Sequence, residues 1–118
     1  MTDLIACLST GKGTWGHVSR LISGQGWSKV FLITNSFGKE RFTPAPNVEL
    51  VVIDPEKPLP ELAENVRLAL QGKVSGMEIA LNLVSGSGKE HMAVLSAVLK
   101  LGMGVRLVSL TEKGISEI

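Results

Sequence analysis

The stretch IALNLVSGSGKEHMAVLSAVLKLGMGVRLVSL, residues 79–110, decides the fold. An apolar run over 79–84 enters a turn, Ser85-Gly86-Ser87-Gly88-Lys89. A helical segment over 89–101 leaves that turn, and a second apolar run follows over 105–110. Both runs are short and nearly continuously apolar, which suits strands covered on both faces. Strand, turn, helix and strand in this order predict a unit whose two strands run parallel.

The same pattern extends toward the N-terminus. Residues 4–8 (LIACL), 30–33 (VFLI) and 48–53 (VELVVI) read as further strands. A helix is expected over about 15–24, with Trp15, Val18, Leu21 and Ile22 on one side. A second is expected over about 59–71, where Leu59, Leu62, Ala63, Val66, Ala69 and Leu70 repeat at helical spacing. Pro58 and Pro60 suit its first turn. Residues 36–42 (SFGKERF) add at most a short helical turn before Pro44 and Pro46. The expectation is an α/β, Rossmann-like three-layer sandwich with a mainly parallel sheet of five or six strands. At 118 residues the chain is one domain, 1–118, and the tail TEKGISEI is too short to be another.

The helix over 89–101 is unusual. Met92, Ala93, Val94, Leu95, Ala97, Val98, Leu99 and Leu101 leave few polar positions, with Ser96 and Lys100 interrupting. A surface helix normally shows one apolar stripe. Burial against a second subunit is one expectation, and deep placement in its own core is the other.

Composition narrows the partners. The net charge of +1 excludes a strongly basic nucleic-acid coat and leaves room for a local basic pocket. No apolar run reaches the roughly 18–20 residues of a membrane span. MTDLIACLS carries no basic leader pattern, so no secretory signal and a cytoplasmic location are expected. The lone cysteine, Cys7, lies inside an apolar run and reads as core filling.

Ligands of open parallel sheets sit outside the carboxyl ends of the strands. Three loops fall there: STGKGTWGH (9–17), TNSFGKER (34–41) and SGSGKEH (85–91). Each is rich in Gly, Ser, Thr or Asn and carries a lysine: Lys12, Lys39 or Lys89. Ser, Thr and Gly also serve plain capping and turning in such loops. Three lysine-bearing loops on one edge favour an anion site, helped by helix N-termini.

Two familiar phosphate motifs are partly matched. Gly11-Lys12-Gly13-Thr14-Trp15-Gly16 matches G-x-G-x-x-G after a strand and before a helix. A dinucleotide site also wants an acid at the end of the second strand, where Thr34, Asn35 and Ser36 stand instead. Gly88-Lys89 imitates a triphosphatase loop, yet Leu83 stands where its first glycine belongs and Glu90 replaces the metal-binding hydroxyl. His17 and His91 have no metal spacing, and no metal or cofactor is expected.

The residues Asn82, Ser85, Gly86, Gly88, Lys89 and Met92, between a strand and an Ala/Leu-rich helix, resemble the CARF family, the CRISPR-associated Rossmann fold. Its pattern after the fourth strand is roughly Asn-x-[Ser/Thr]-Gly-Gly-Thr-Lys-x-Met. Here Ser87-Gly88 stands where Gly-Thr is commoner, and Asn82 lies one residue early. The resemblance implies a homodimer joined near the helix 89–101, with no membrane and no duplex nucleic acid as partner. It implies a cyclic oligoadenylate ligand of type III CRISPR antiviral signalling, bound across the two-fold axis. Its ligand-binding positions would be Ser9, Thr10, Gly11, Lys12, Gly13, Thr14, Asn35, Ser36, Ser85, Gly86, Ser87, Gly88, Lys89 and Met92. Some members only sense the ring and others cleave it slowly without metal. For cleavage, Lys89 would stabilise charge and Ser9 or Thr10 would orient the reacting groups. The alternative reading is a nucleotide or dinucleotide enzyme using Gly11–Gly16.

Overall fold

Each apolar run becomes a strand because helices cover the sheet from both sides. The computed structural model describes residues 2–8 and 12–118, with Lys12 described by its backbone alone. The strands are β1 (Asp3–Leu8), β2 (Val30–Thr34), β3 (Val48–Val52), β4 (Glu78–Asn82), β5 (Gly104–Thr111) and β6 (Gly114–Glu117). The helices are α1 (Trp15–Ser23), α2 (Ser36–Arg41), α3 (Leu59–Leu70) and α4 (Gly88–Lys100). A 3-10 turn, Lys12–Thr14, leads into α1.

The strands form one sheet in the order β3-β2-β1-β4-β5-β6. β1 to β5 are parallel and β6 is antiparallel to β5. The central strand β1 is buried along its whole length, with Ile5 opposite Phe31 on one side and Leu81 on the other. Its alternate residues feed two cores. Ile5 and Cys7 join Phe31, Ile33, Ile79 and Leu81 beneath α3 and α4. Leu4, Ala6 and Leu8 join Leu32 and Ala80 beneath α1, through Val18 and Leu21. Burying each large side chain contributes about 1.5–3 kcal/mol. The expected three-layer α/β sandwich, with a mostly parallel sheet of six strands, is therefore the architecture.

Two expectations are refined. β4 ends at Asn82, because the Asn82 Oδ1 accepts the Val84 N–H at 3.3 Å and turns the chain there. Leu83 and Val84 thus belong to the loop although they look like strand residues. The tail supplies β6, a hairpin partner of β5 that its composition did not announce. Gly114 takes φ +96° at that turn, a conformation that favours glycine.

α4 is not an evenly buried cylinder. Ala93, Val94, Ala97 and Val98 face the core, while Met92 and Leu99 are 59% and 60% exposed. Met92, Leu95 and Leu99 line one open apolar groove. On the same side of the sheet, Leu107 of β5 lines another with Val84 and Ile118. Among the described residues, no helix is long and apolar enough to cross a membrane.

The amino end of the sheet is tied by side chains. Ser75 donates from its N–H (2.9 Å) and hydroxyl (3.2 Å) to the Asp3 Oδ2. The Trp27 indole donates to the Leu21 carbonyl at 2.9 Å, satisfying an end of α1. Asn47 Nδ2 donates to the Trp27 carbonyl at 3.2 Å. Lys73 pairs with Glu49 at 2.6 Å, and Arg106 with Glu117 at 2.9 Å and Glu78 at 3.4 Å.

Candidate functional site

The connections divide at β1. From β1 the chain moves through α1 to β2 and through α2 to β3; from β3 it crosses back through α3 to β4 and on through α4 to β5. Right-handed connections in opposite directions put their helices on opposite faces. Helices α1 and α4, which follow the adjacent strands β1 and β4, therefore lie on opposite faces. In open α/β sheets the opening at a reversal of strand order is where ligands lodge.

The β4 side of the opening is tightly built. Ser87 caps α4, its hydroxyl accepting the Glu90 N–H at 3.2 Å, while the Glu90 carboxylate accepts the Ser87 N–H at 2.7 Å. This reciprocal box orders the turn and leaves the first amides of α4 pointing outward. Gly86 sits at φ +107°, and a Cβ there would stand 3.1 Å from His91 Nε2 and 3.3 Å from the Cys7 Cβ. The tight approach of this turn to β1 thus requires glycine. Ser85 is buried, and its carbonyl accepts from His91 Nε2 at 2.8 Å, which fixes the proton on that ring nitrogen.

Asn82 holds the opposite face of the opening. Its buried amide donates to the Val108 carbonyl at 2.9 Å and lies 3.3 Å from His17 Nε2 on α1. With the amide nitrogen as donor to both, His17 accepts at Nε2. Asn82 therefore ties β4, β5 and α1 together beneath the site. In the sequence Asn82 stands only as part of a motif, and the histidines only as a pair without metal spacing. Their bracing depends on residues 65 and 26 positions apart in the chain, beyond the reach of local spacing.

On the β2 side, Thr34 is buried and donates to the Leu8 carbonyl at 2.9 Å. Asn35 caps α2 by accepting the Gly38 N–H at 3.0 Å. Ser36 is exposed. No carboxylate ends β2. Gly16 lies inside α1, where a Cβ would meet only the Arg20 guanidinium, at 3.6 Å, and Gly13 has open space around it. The close helix–strand packing that gives G-x-G-x-x-G its third glycine is therefore missing. Trp15 packs edge-on against Phe37 and Phe42, with ring centroids 6.1 and 6.3 Å away, and joins α1 to α2.

Lys89 does not point into the opening. Its ammonium donates to the Pro55 carbonyl at 2.7 Å, across to the loop after β3. Gly88 begins α4 and is exposed, and Met92 lies on the open apolar stripe. Thr14 precedes α1 without capping it through its side chain. Ser9, Thr10 and Gly11 lie outside the described residues, as does the Lys12 side chain. The structure thus gathers Ser85, Gly86, Ser87 and Gly88 at the opening and directs Lys89 and Met92 away from it.

Cys7 lies under Gly86 and is not a nucleophile. Burial, with the Glu90 carboxylate adding to it, pushes its thiol up to about 12. Among the described residues no cluster of His, Cys, Asp or Glu could hold a metal ion. The arrangement offers a helix N-terminus and a serine- and glycine-rich turn, with the Lys89 ammonium held on a neutral carbonyl nearby. No protein-family model and no curated protein matches the chain.

Proposed function

We propose that the chain is the sensor domain of a cytoplasmic homodimer that binds a cyclic oligoadenylate at the β1/β4 opening, as the CARF resemblance implies, in type III CRISPR antiviral signalling. The observation that carries this reading is the capped, glycine-dependent turn Ser85–Gly88 at the point where the strand order reverses. The exposed stripe Met92, Leu95 and Leu99 supports the dimer, since an apolar helix face of this kind gains from being covered. Two copies related by a two-fold axis would set two such turns around one symmetric ring of phosphates.

Binding requires Lys89 to leave the Pro55 carbonyl for a phosphate, exchanging a neutral acceptor for a charged one. If the ring is cleaved, a ribose 2′-oxygen forms a bond to its own phosphorus as the bond to the next 5′-oxygen breaks. Lys89 would stabilise the charge that builds on the phosphoryl oxygens. Ser9 and Thr10 would orient the attacking hydroxyl.

Calorimetry with cyclic tetra-adenylate and cyclic hexa-adenylate tests the reading, and absence of heat with both rings at tens of micromolar removes it. Radiolabelled cyclic tetra-adenylate then separates sensing from cleavage by the appearance of linear product. Sedimentation of Leu99→Glu against the unaltered chain tests the dimer, which should dissociate in the variant.

A further inference from the structure

A second concavity adjoins this site and belongs to neither flanking loop. It lies at the carboxyl end of the edge strand β3, where α3 leans over the sheet, and holds about 440 Å³. That is within the range of small-molecule pockets, which begin near 300 Å³. Val51, Ile53 and Ala69 give it an apolar floor. Asn65, one helical turn before Ala69, brings its carboxamide to the wall, and no described residue hydrogen-bonds that amide. Asp54 lines the same space; one carboxylate oxygen accepts the Glu56 N–H at 3.0 Å and the other is left for a ligand. Pro55 forms part of the rim, and its carbonyl is the group that holds the Lys89 ammonium.

We infer that this pocket between β3 and α3 is a nucleobase site, with Lys89 at its rim taking the phosphate of the same nucleotide. A flat heterocycle fills an apolar floor while its edge needs polar partners. A carboxamide supplies one donor and one acceptor side by side, the pattern that reads an adenine edge. Asp54 only accepts, so its second oxygen takes an N–H of the base, while Lys57 lines the same wall. The inference deepens the proposed function and rests on it for the identity of the phosphate ligand.

The test is a titration of the ¹⁵N-labelled chain with adenosine 5′-monophosphate and ribose 5-phosphate at millimolar concentration. Adenosine monophosphate should move the amides of Val51, Ile53, Asp54 and Asn65, and ribose 5-phosphate should leave them in place. Asn65→Ala should weaken adenosine monophosphate about tenfold, the loss of roughly one good hydrogen-bond pair. Ala69→Phe, which fills the floor from a partly exposed helix position, should abolish those shifts while the rest of the spectrum stays folded. Unmoved pocket amides, equal shifts with ribose 5-phosphate, or unchanged affinity in both variants would overturn the assignment. Pocket shifts with the mononucleotide but no ring binding would sustain the base site and remove the cyclic ligand. Ring binding that leaves Val51–Asp54 unmoved would do the reverse.

Discussion

The two ends of the sheet are built on different principles. At the amino end, side chains close the structure: Asp3 takes Ser75, Trp27 takes the end of α1, and Lys73 and Arg106 meet carboxylates. At the carboxyl end, glycine geometry shares that work with side chains such as Asn82 and Thr34. Gly86 and Gly38 allow turns and helices to approach the strands, and Ser87, Glu90 and Asn35 satisfy the helix starts. The lysine there rests on a carbonyl rather than a carboxylate. A charge held by a neutral acceptor is easily given to an anion; a charge already paired is not. Lys29 at the amino end likewise rests on a carbonyl, that of Lys73, so what sets the carboxyl end apart is that its lysine stands beside the Ser85–Gly88 turn.

Four measurements would break or sharpen that contrast. The largest effect is expected at Gly38, where a Cβ would run into the buried Thr34 hydroxyl. Gly38→Ala should lose about 3 kcal/mol in urea denaturation, and adding Thr34→Ala should restore part of it. A Gly38→Ala protein of full stability would show that the carboxyl end tolerates side chains after all. Next comes Trp27→Phe at the amino end, which strands the Leu21 carbonyl and trims a buried ring. About 2 kcal/mol is expected, with ligand binding intact.

The third concerns pH. Cys7 titrates at about 12 when folded, above its ordinary range near 8.5. The folded state therefore holds this proton more tightly than the unfolded one. The contribution is fully present below about pH 8.5 and is lost as pH rises toward 12, by up to about 1.4 kcal/mol per unit. Comparing alkaline denaturation with Cys7→Ala should reveal that slope as a difference, and the native thiol should resist alkylation at pH 8. The smallest effect on stability is expected for Lys89→Ala, within about 0.5 kcal/mol by thermal unfolding, because its side chain is exposed. The same variant should lose ring binding, and normal binding would detach Lys89 from the site.

The fold was legible because its strands are buried on both faces and so stand out as apolar runs. LIACL, VFLI and VELVVI fall on β1, β2 and β3 within a residue or so. Leu83 and Val84 misled, since the signal that ends β4 is the Asn82 side chain folding onto the backbone. β6 escaped because GISE is short and half polar, and its pairing with β5 depends on the turn at Gly114. At the site, the glycine and serine turn was readable from its letters. The direction of Lys89 was not, because its acceptor lies 34 residues away. The histidine braces, and the Trp15 contact with Phe37 and Phe42, are likewise products of tertiary packing.

The place of β1 has a consequence for how the chain comes into being. Of these six strands β1 leaves the ribosome before the others, and β2 can pair with it after a short helix. Its other edge must wait for Glu78–Asn82, the length of two more strands and two more helices. Through that interval Leu4–Leu8 presents an unpaired, wholly apolar strand edge, the kind that recruits other chains. Nascent fragments that stop short of β4 should accordingly be the aggregating ones, and emergence of β4 should mark the moment at which the newborn chain becomes safe.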